Sequence, residues 1–142
     1  MVDIPVSANH AVGGLIGQNS GTVTNSFANG TVDGNLVAID KEYNIKKKFS
    51  TAGNDPCHIS MNHSGDVIVV TNYSSGSFAM FELLEGLPVN LSHFVMHEGN
   101  STNPQRQQSP HPHSSLFSQS DDILFVADLG TDILYYYSYE QK

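Results

Sequence analysis

Residues 67–83 read VIVVTNYSSGSFAMFEL, and this stretch predicts the fold of the chain. The apolar run VIVV (67–70) ends in the turn-forming cluster NYSSG (72–76), and the residues that follow alternate in polarity. Short runs of β-branched and aromatic residues, closed by Gly, Asn and Ser, are typical of strands joined by hairpins. Nowhere in the chain do apolar residues recur with helical spacing over three turns. We therefore expect an all-β fold.

The pattern occurs twice. Residues 58–83 fall on residues 113–139 when they are moved along the chain by 55 or 56 positions. A further strand, ending near Gly53 or Gly99, precedes each copy. Repeats of short strands with this spacing are typical of propeller blades, and a closed propeller needs roughly four to eight of them. At about 55 residues per blade, the chain holds two to three blades, which predicts a propeller fragment or a chain that self-associates to close a ring.

The repeat also makes a detailed structural prediction. We expect two similar four-stranded antiparallel units between residues 34 and 139, with Phe78 and Met80 packed between neighbouring sheets.

Composition excludes several classes of partner. The 142 residues carry a net charge of −8, and Arg106 is the single arginine, which argues against nucleic-acid binding. No apolar run approaches the roughly 20 residues of a membrane span, and no basic segment followed by an apolar one starts at Met1. A single cysteine, Cys57, fits a reducing compartment. We expect a cytoplasmic protein without nucleic-acid or membrane partners.

Two blocks of sequence resemble the seven-bladed propeller lactonases, a family that includes 6-phosphogluconolactonases and 3-carboxymuconate cyclases. The first block is DPCHIS (55–60) with VVTNYSSGS (69–77). The second is NPQRQ (103–107), PHPHS (110–114) and FVADLGTD (125–132). Residues 61–63, Met-Asn-His, depart from the more Asp-Pro-like turn of the family. The resemblance covers roughly residues 34–139, and implies a seven-bladed fold and hydrolysis of a sugar-acid lactone, foremost 6-phosphogluconolactone in the pentose phosphate pathway.

The N-terminal segment has a different character. Residues 13–27, GGLIGQNSGTVTNSF, are similar to the GLUG repeat of bacterial surface proteins. Alternatively, residues 22–27 form a blade strand, since Gly21 lies 55 positions before Gly76. We therefore divide the chain into a Gly/Asn-rich β segment, residues 1–33, and a propeller lactonase fragment, residues 34–142. The GLUG interpretation would place the protein at the cell surface or outside the cell.

Lactone hydrolysis needs a base that activates water, a donor to the carbonyl oxygen and, for an anionic substrate, a cation. The segment from Arg106 to His113 supplies these residue types within eight positions. Because His111 and His113 flank Pro112, both imidazoles can lie on one side of an extended chain. We expect His113 to activate water or polarise the carbonyl, His111 to orient the substrate and Arg106 to hold its phosphate or carboxylate.

Other candidates carry alternative interpretations. His58, at the matching entry of the preceding blade, is a candidate for substrate binding, as are Asn72 and Asp128. The last two match each other across the repeat, so a structural role in turns is the alternative. A His-x-His pair can bind metal, yet no third ligand has suitable spacing, and we expect neither metal nor cofactor. Cys57 is expected to be a small buried residue rather than a nucleophile.

The remaining histidines, His10, His63, His93 and His97, are expected at surface or strand positions. Three function classes follow: a lactonase, a propeller that binds ligands or proteins without catalysis, and a surface β-repeat protein.

Overall fold

The structure, a computed structural model, describes residues 35–39 and 44–140. These residues form nine β-strands and no helix, which confirms the all-β prediction. The strands are β1 (Asn35–Ile39), β2 (Ile45–Ser50), β3 (Pro56–Met61), β4 (Val67–Asn72), β5 (Ser77–Leu84), β6 (Leu87–Met96), β7 (Pro112–Phe117), β8 (Ile123–Asp128) and β9 (Ile133–Ser138). No helix long and apolar enough to cross a membrane occurs in this part of the chain. The GLUG-like segment and the boundary after residue 33 lie outside the described residues.

The strands form three antiparallel sheets. Sheet 1 contains β1 and β2, sheet 2 contains β3 to β6, and sheet 3 contains β7 to β9, each in chain order. The predicted four-stranded unit is confirmed for sheet 2, whereas sheet 3 has three strands among the described residues. The strands expected to begin each repeat instead end the preceding sheet. For β6 the reason is a tight turn at Glu85 and Gly86, both at positive φ, which returns the chain onto β5.

Sheets 2 and 3 repeat one pairing pattern with an offset of 56 residues. Pro56 pairs with Asn72, and Pro112 pairs with Asp128; a register shift follows each proline. Cys57 is therefore the structural equivalent of His113. The predicted match between His58 and His113 is wrong by one residue, because the ladder aligns the two prolines rather than the two histidines.

Two apolar clusters hold the sheets together. One joins sheets 1 and 2, and its buried members are Leu36, Ile68, Val70, Ala79 and Phe81. The other joins sheets 2 and 3, with Val67, Val69, Phe78, Met80, Phe117, Leu124 and Val126. Strand β4 feeds both clusters and is buried along its whole length. Burying one such side chain stabilises the fold by about 1.5–3 kcal/mol. The predicted packing of Phe78 and Met80 between sheets is confirmed.

The far face of sheet 3 has no neighbouring sheet among the described residues. Leu116, Leu134 and Tyr136 lie on it and are 66%, 63% and 73% exposed. Their equivalents Phe78 and Met80 in sheet 2, which match Leu134 and Tyr136, are buried against sheet 3. The equivalent face of sheet 2 is thus covered by sheet 3, whereas this face of sheet 3 is uncovered among the described residues.

Candidate active site

The connector between β6 and β7 carries Arg106 and His111, and His113 is the second residue of β7. The connector lies against two turns, and each turn has a glycine at the point of contact. At Gly130, a Cβ would stand 1.8 Å from the Ser109 carbonyl oxygen and 2.7 Å from the His111 nitrogen. At Gly76, which has a φ of +65°, a Cβ would stand 3.0 Å from the Pro110 oxygen. Glycine at these positions lets the connector approach closely. The backbone at and just before His111 is therefore closely packed against both turns.

A compact loop presents Arg106 beside these turns. The Asn103 carbonyl accepts the N–H groups of Arg106 at 3.3 Å and Gln107 at 2.8 Å. The Gln107 side chain accepts the Asn103 N–H at 2.9 Å and donates through Nε2 to the Leu129 carbonyl, also at 2.9 Å. Gln107 therefore docks the loop onto the turn after β8. The Arg106 side chain in this loop is exposed.

His111 is fixed by Tyr73 of the neighbouring sheet. The two rings stack with centroids 4.4 Å apart and planes 9° apart. His111 Nδ1 lies 2.9 Å from the Tyr73 carbonyl oxygen, which can only accept a hydrogen bond. Nδ1 therefore carries the proton, and Nε2 of the neutral ring keeps a lone pair.

His113 is exposed and lies edge-on to the same tyrosine, with centroids 6.0 Å apart and an interplanar angle of 83°. His58 stands on the adjacent strand β3, and its Nδ1 accepts the Ser115 N–H at 3.3 Å. Burial, followed by the charge on His113, lowers the pKa of His58. The His58 ring is thus held neutral with its proton on Nε2, as a hydrogen-bond donor.

Arg106 and His113 share one open cavity of about 440 Å³. Its walls also include Ser114, Ala127, Asp128, Leu129, Asp132, Ile133 and Leu134. The structure therefore brings together two of the three predicted catalytic residues, while the ring of the third, His111, is turned onto Tyr73. Among the described residues, no group of three His, Cys, Asp or Glu side chains could hold a metal ion.

The side chains of Asn72 and Asp128 are buried and engaged by the backbone. Asp128 Oδ1 accepts the N–H groups of His111, Gly130 and Thr131 at 2.8, 2.8 and 3.1 Å. Asn72 Nδ2 donates to the Thr51 carbonyl at 3.3 Å and to Ser77 Oγ at 3.2 Å. These contacts support the structural alternative for both residues: both side chains are buried, including that of Asp128, although this residue borders the cavity.

Two expectations for individual residues are wrong. The His97 side chain is only 1% exposed and lies one residue after β6 ends, so it is neither a surface nor a strand residue. Its partners Asp128 and Tyr137 lie 31 and 40 positions away, a separation that no local motif encodes. Cys57 is exposed rather than buried.

His63 and His93 are exposed, as expected, and His10 lies outside the described residues. His63 nevertheless joins two turns. Asp121 accepts the His63 and Ser64 N–H groups, both at 2.8 Å, together with His63 Nδ1 at 2.9 Å. Burial raises the pKa of Asp121, but these hydrogen bonds together outweigh it and hold the pKa at about 2. The two turns are thus linked through an ionised carboxylate.

Comparison with known proteins agrees with the predicted family. Residues 21–142 match the sequence model of the family described as lactonase, 7-bladed β-propeller, and residues 8–33 match the GLUG motif. The resemblance of the N-terminal segment to a GLUG repeat is therefore confirmed. The two matches overlap over residues 21–33, so the domain boundary stays a prediction.

Named relatives point the same way. A 6-phosphogluconolactonase of Formosa agariphila is 36% identical over 84 residues, which are 58% of this chain and 24% of that protein. The 6-phosphogluconolactonase of Bacillus subtilis is 32% identical over 87 residues, 60% of this chain and 24% of that protein.

Solved structures show the same fold. A putative 6-phosphogluconolactonase from Bacteroides fragilis superposes with a TM-score of 0.68 and 29% identity, covering 81% of this chain and 34% of that one. The periplasmic gluconolactonase of Pseudomonas aeruginosa gives 0.67 and 26%, covering 79% and 33%.

The chain thus spans about a quarter to a third of the length of these relatives. The family match, in contrast, spans most of the chain, and the sheets and the Arg106–His113 segment lie within it. This chain belongs to the seven-bladed β-propeller lactonase family.

Proposed function

We propose that this chain supplies part of the active site of a lactonase that hydrolyses 6-phosphogluconolactone to 6-phosphogluconate, a step of the pentose phosphate pathway. The observation that carries the proposal is the shared cavity of Arg106 and His113, beside a His111 ring whose tautomer is fixed. The names of the relatives support the substrate class. The anionic group of a sugar-acid lactone could be bound by the arginine, and the imidazoles could supply the proton transfers of its hydrolysis.

In the proposed mechanism, water attacks the lactone carbonyl carbon while His113 accepts its proton. The carbonyl oxygen gains negative charge and is stabilised by hydrogen-bond donors, for which His58 offers Nε2–H. The bond between the carbonyl carbon and the ring oxygen then breaks, and His113 donates the proton to the ring oxygen, which leaves as a hydroxyl group. His111, whose free atom is Nε2, orients the substrate, and Arg106 binds its phosphate through the guanidinium fork.

The proposed site needs more blades than the described sheets provide. Support comes from the uncovered face of sheet 3, whose sheet 2 equivalents pack against another sheet. A further sheet of the same kind, from additional blades or from self-association, would cover it and complete the cavity wall. We propose no nucleic-acid or membrane partner.

We propose that residues 34–142 form the propeller part, and that residues 1–33 are a separate β segment. A cytoplasmic location is proposed from the single free thiol, Cys57. Fractionation of cells that express the tagged protein decides between the cytoplasm and the cell surface.

The activity test uses the purified 142-residue chain with 6-phosphogluconolactone. Acid release at constant pH is measured alongside the molar mass in solution. We expect little turnover from a monomer and turnover from any closed assembly. Robust activity in a monomer would contradict the need for further blades, whereas no turnover from a closed assembly that binds 6-phosphogluconate would favour a non-catalytic binding module.

The residue test uses the catalytically competent form. His113→Ala should lower the rate by about 100- to 10,000-fold, as expected for loss of a general base. Arg106→Ala should raise KM for the phosphorylated lactone and leave the unphosphorylated gluconolactone unaffected. His93→Ala, at an exposed position on β6, is the matched control. If His113→Ala and Arg106→Ala fold and both keep rates within a few-fold of the parent, the catalytic residues lie elsewhere.

A further inference from the structure

A hydrogen-bonded network of polar side chains, made of buried His97 and Asp128 and half-buried Tyr137, crosses the junction of sheets 2 and 3. The Tyr137 hydroxyl lies 2.9 Å from His97 Nε2, and His97 Nδ1 lies 2.6 Å from Asp128 Oδ2. The side chains of His97 and Asp128 are 1% and 0% exposed. A carboxylate accepts only, so His97 Nδ1 is the donor in this pair. The hydrogen-bonded network therefore connects Tyr137 to His97 and His97 to Asp128.

The blade architecture does not itself require this hydrogen-bonded network. In sheet 2, the positions equivalent to Tyr137 and Asp128 hold Phe81 and Asn72. The residue that follows the outer strand of the preceding sheet, in the place of His97, is Thr51. Sheets 1 and 2 pack with these neutral residues. The ionisable set thus occurs at the junction next to the connector that bears the histidines.

Asp128 links this hydrogen-bonded network to the candidate site. Its Oδ1 accepts the N–H group of His111 and those of Gly130 and Thr131. With His97 on Oδ2, both carboxylate oxygens are engaged, so the orientation of the carboxyl plane is fixed. That plane in turn sets where the His111 backbone lies, and His113 follows two residues later.

We propose that His97 is a positioning residue for the ligand site: through Asp128 it holds the end of the connector at His111, directly before the strand that carries His113. The proposal rests on the proposed function for the identity of the ligand. His97 does not touch the ligand, since it is buried and its two ring nitrogens are occupied by Asp128 and Tyr137.

Three substitutions test this role. His97→Phe removes the donor to Asp128, whereas His97→Asn keeps a donor, because the Asn Nδ2 stands close to where the ring places Nδ1. Tyr137→Phe removes only the hydroxyl, and Phe81 occupies the equivalent position in sheet 2. This last variant keeps the proposal testable if His97→Phe does not fold.

Hydrogen exchange of the labelled chain is the first readout. In His97→Phe, the amides of His111, Gly130 and Thr131 should exchange about tenfold faster or more, in line with the weakening of hydrogen bonds to a charged group. The amides of Val69 and Val70, in the core of sheet 2, should not change. His97→Asn should retain most of the protection, and Tyr137→Phe should give a smaller acceleration at the same three amides.

Affinity for 6-phosphogluconate is the second readout. It should fall about tenfold in His97→Phe and be largely restored in His97→Asn. Uniform acceleration that includes Val69, or unchanged protection at His111, would overturn the positioning role. Because the proposed site needs further blades, affinity is measured on the closed assembly. If that assembly of the parent chain does not bind 6-phosphogluconate, the proposed ligand is wrong, while the exchange pattern still decides whether His97 positions the connector.

Discussion

Sheets 2 and 3 have the same turn after their second strand, but with different chemistry. In sheet 2 the turn follows Asn72, whose amide donates to Thr51 and Ser77 and whose Oδ1 is buried without a partner. In sheet 3 the turn follows Asp128, whose carboxylate accepts four hydrogen bonds. The first turn joins neutral groups, whereas Asp128 at the second turn accepts two N–H groups of the turn itself and two from the connector that carries Arg106 and His111.

The difference shows how one repeat can serve two purposes. Cys57, at the entry of sheet 2, is replaced by His113 in sheet 3, and Asp55 is replaced by His111. The backbone frame is retained, as the Tyr73 N–H donates to the Asp55 carbonyl and the Leu129 N–H donates to the His111 carbonyl. His111 and His113 thus differ from their sheet 2 equivalents in side chain only, whereas Arg106 lies in a connector of residues 97–111 that is ten residues longer than the connector of residues 51–55.

The largest effect is expected where the connector meets the turn of sheet 3. Gly130→Ala would place a methyl group 1.8 Å from the Ser109 oxygen, so the connector must move. We expect a loss of about 3 kcal/mol or more in the free energy of unfolding, measured with urea. Gly65→Ala is the control, since its Cβ would meet nothing within 4 Å and only the positive φ opposes it, at a cost of about 1 kcal/mol. Equal losses would show that the close approach is unimportant.

Exchanging the two turn residues should destabilise both sheets. Asp128→Asn places an amide where four donors converge, and should cost about 2–3 kcal/mol. Asn72→Asp brings a carboxylate against the Thr51 carbonyl and should cost about 1–3 kcal/mol. Urea unfolding of both variants provides the measurement. A change below about 0.5 kcal/mol for Asp128→Asn would contradict the assigned role of its carboxylate.

Acid should loosen the link between the two sheets. Asp121 has a folded-state pKa of about 2, below its ordinary value of 3.8, so the folded protein binds fewer protons than the unfolded chain between these values. Its contribution to stability is complete above about pH 4 and is lost as the pH falls towards 2. In Asp121→Asn this part of the pH dependence should disappear. If parent and variant lose stability in parallel between pH 4 and 2, the link does not depend on Asp121.

The smallest effect concerns Cys57, which occupies the position of His113 in the other sheet. The residue as a whole is exposed, but its Sγ is partly covered, and this partial burial raises the pKa of the thiol; hydrogen bonds are a smaller effect in the opposite direction. Its Sγ also lies 3.5 Å from the carbonyl oxygens of Pro112 and His113. We expect alkylation by iodoacetamide at neutral pH to be slower than for a free thiol, and to accelerate above pH 9. Faster alkylation than glutathione at pH 7 would show an activated thiolate instead.

The sequence predicts the strands well because strand length, alternation and turn residues are local signals. The apolar run at residues 67–70 and the turn cluster that follows it define β4 and the start of β5 in the structure. The assignment of β6 to sheet 2 depends on the left-handed turn at Glu85 and Gly86, which composition does not reveal. The one-residue register error arises because the shifts after Pro56 and Pro112 leave no trace in the spacing of histidines.

In the candidate site, too, some residues can be predicted from local sequence, whereas others depend on how the sheets pack. Arg106 and His113 are found through a contiguous motif, and they do line one cavity. Tyr73 and Gln107 lie inside the quoted motifs, yet their contacts with His111 and the Leu129 carbonyl depend on how the sheets meet. His97 is missed because its burial depends on partners in β8 and β9.

The central claim is that the connector of sheet 3, and not its equivalent in sheet 2, binds the ligand. Titration of the labelled chain with 6-phosphogluconate, followed by amide and imidazole signals, tests this most directly. We predict saturable shifts at Arg106, His111 and His113 and none at residues 52–54, in the equivalent connector of sheet 2. Shifts of equal size in both connectors, or none at Arg106 and His113, would contradict the claim.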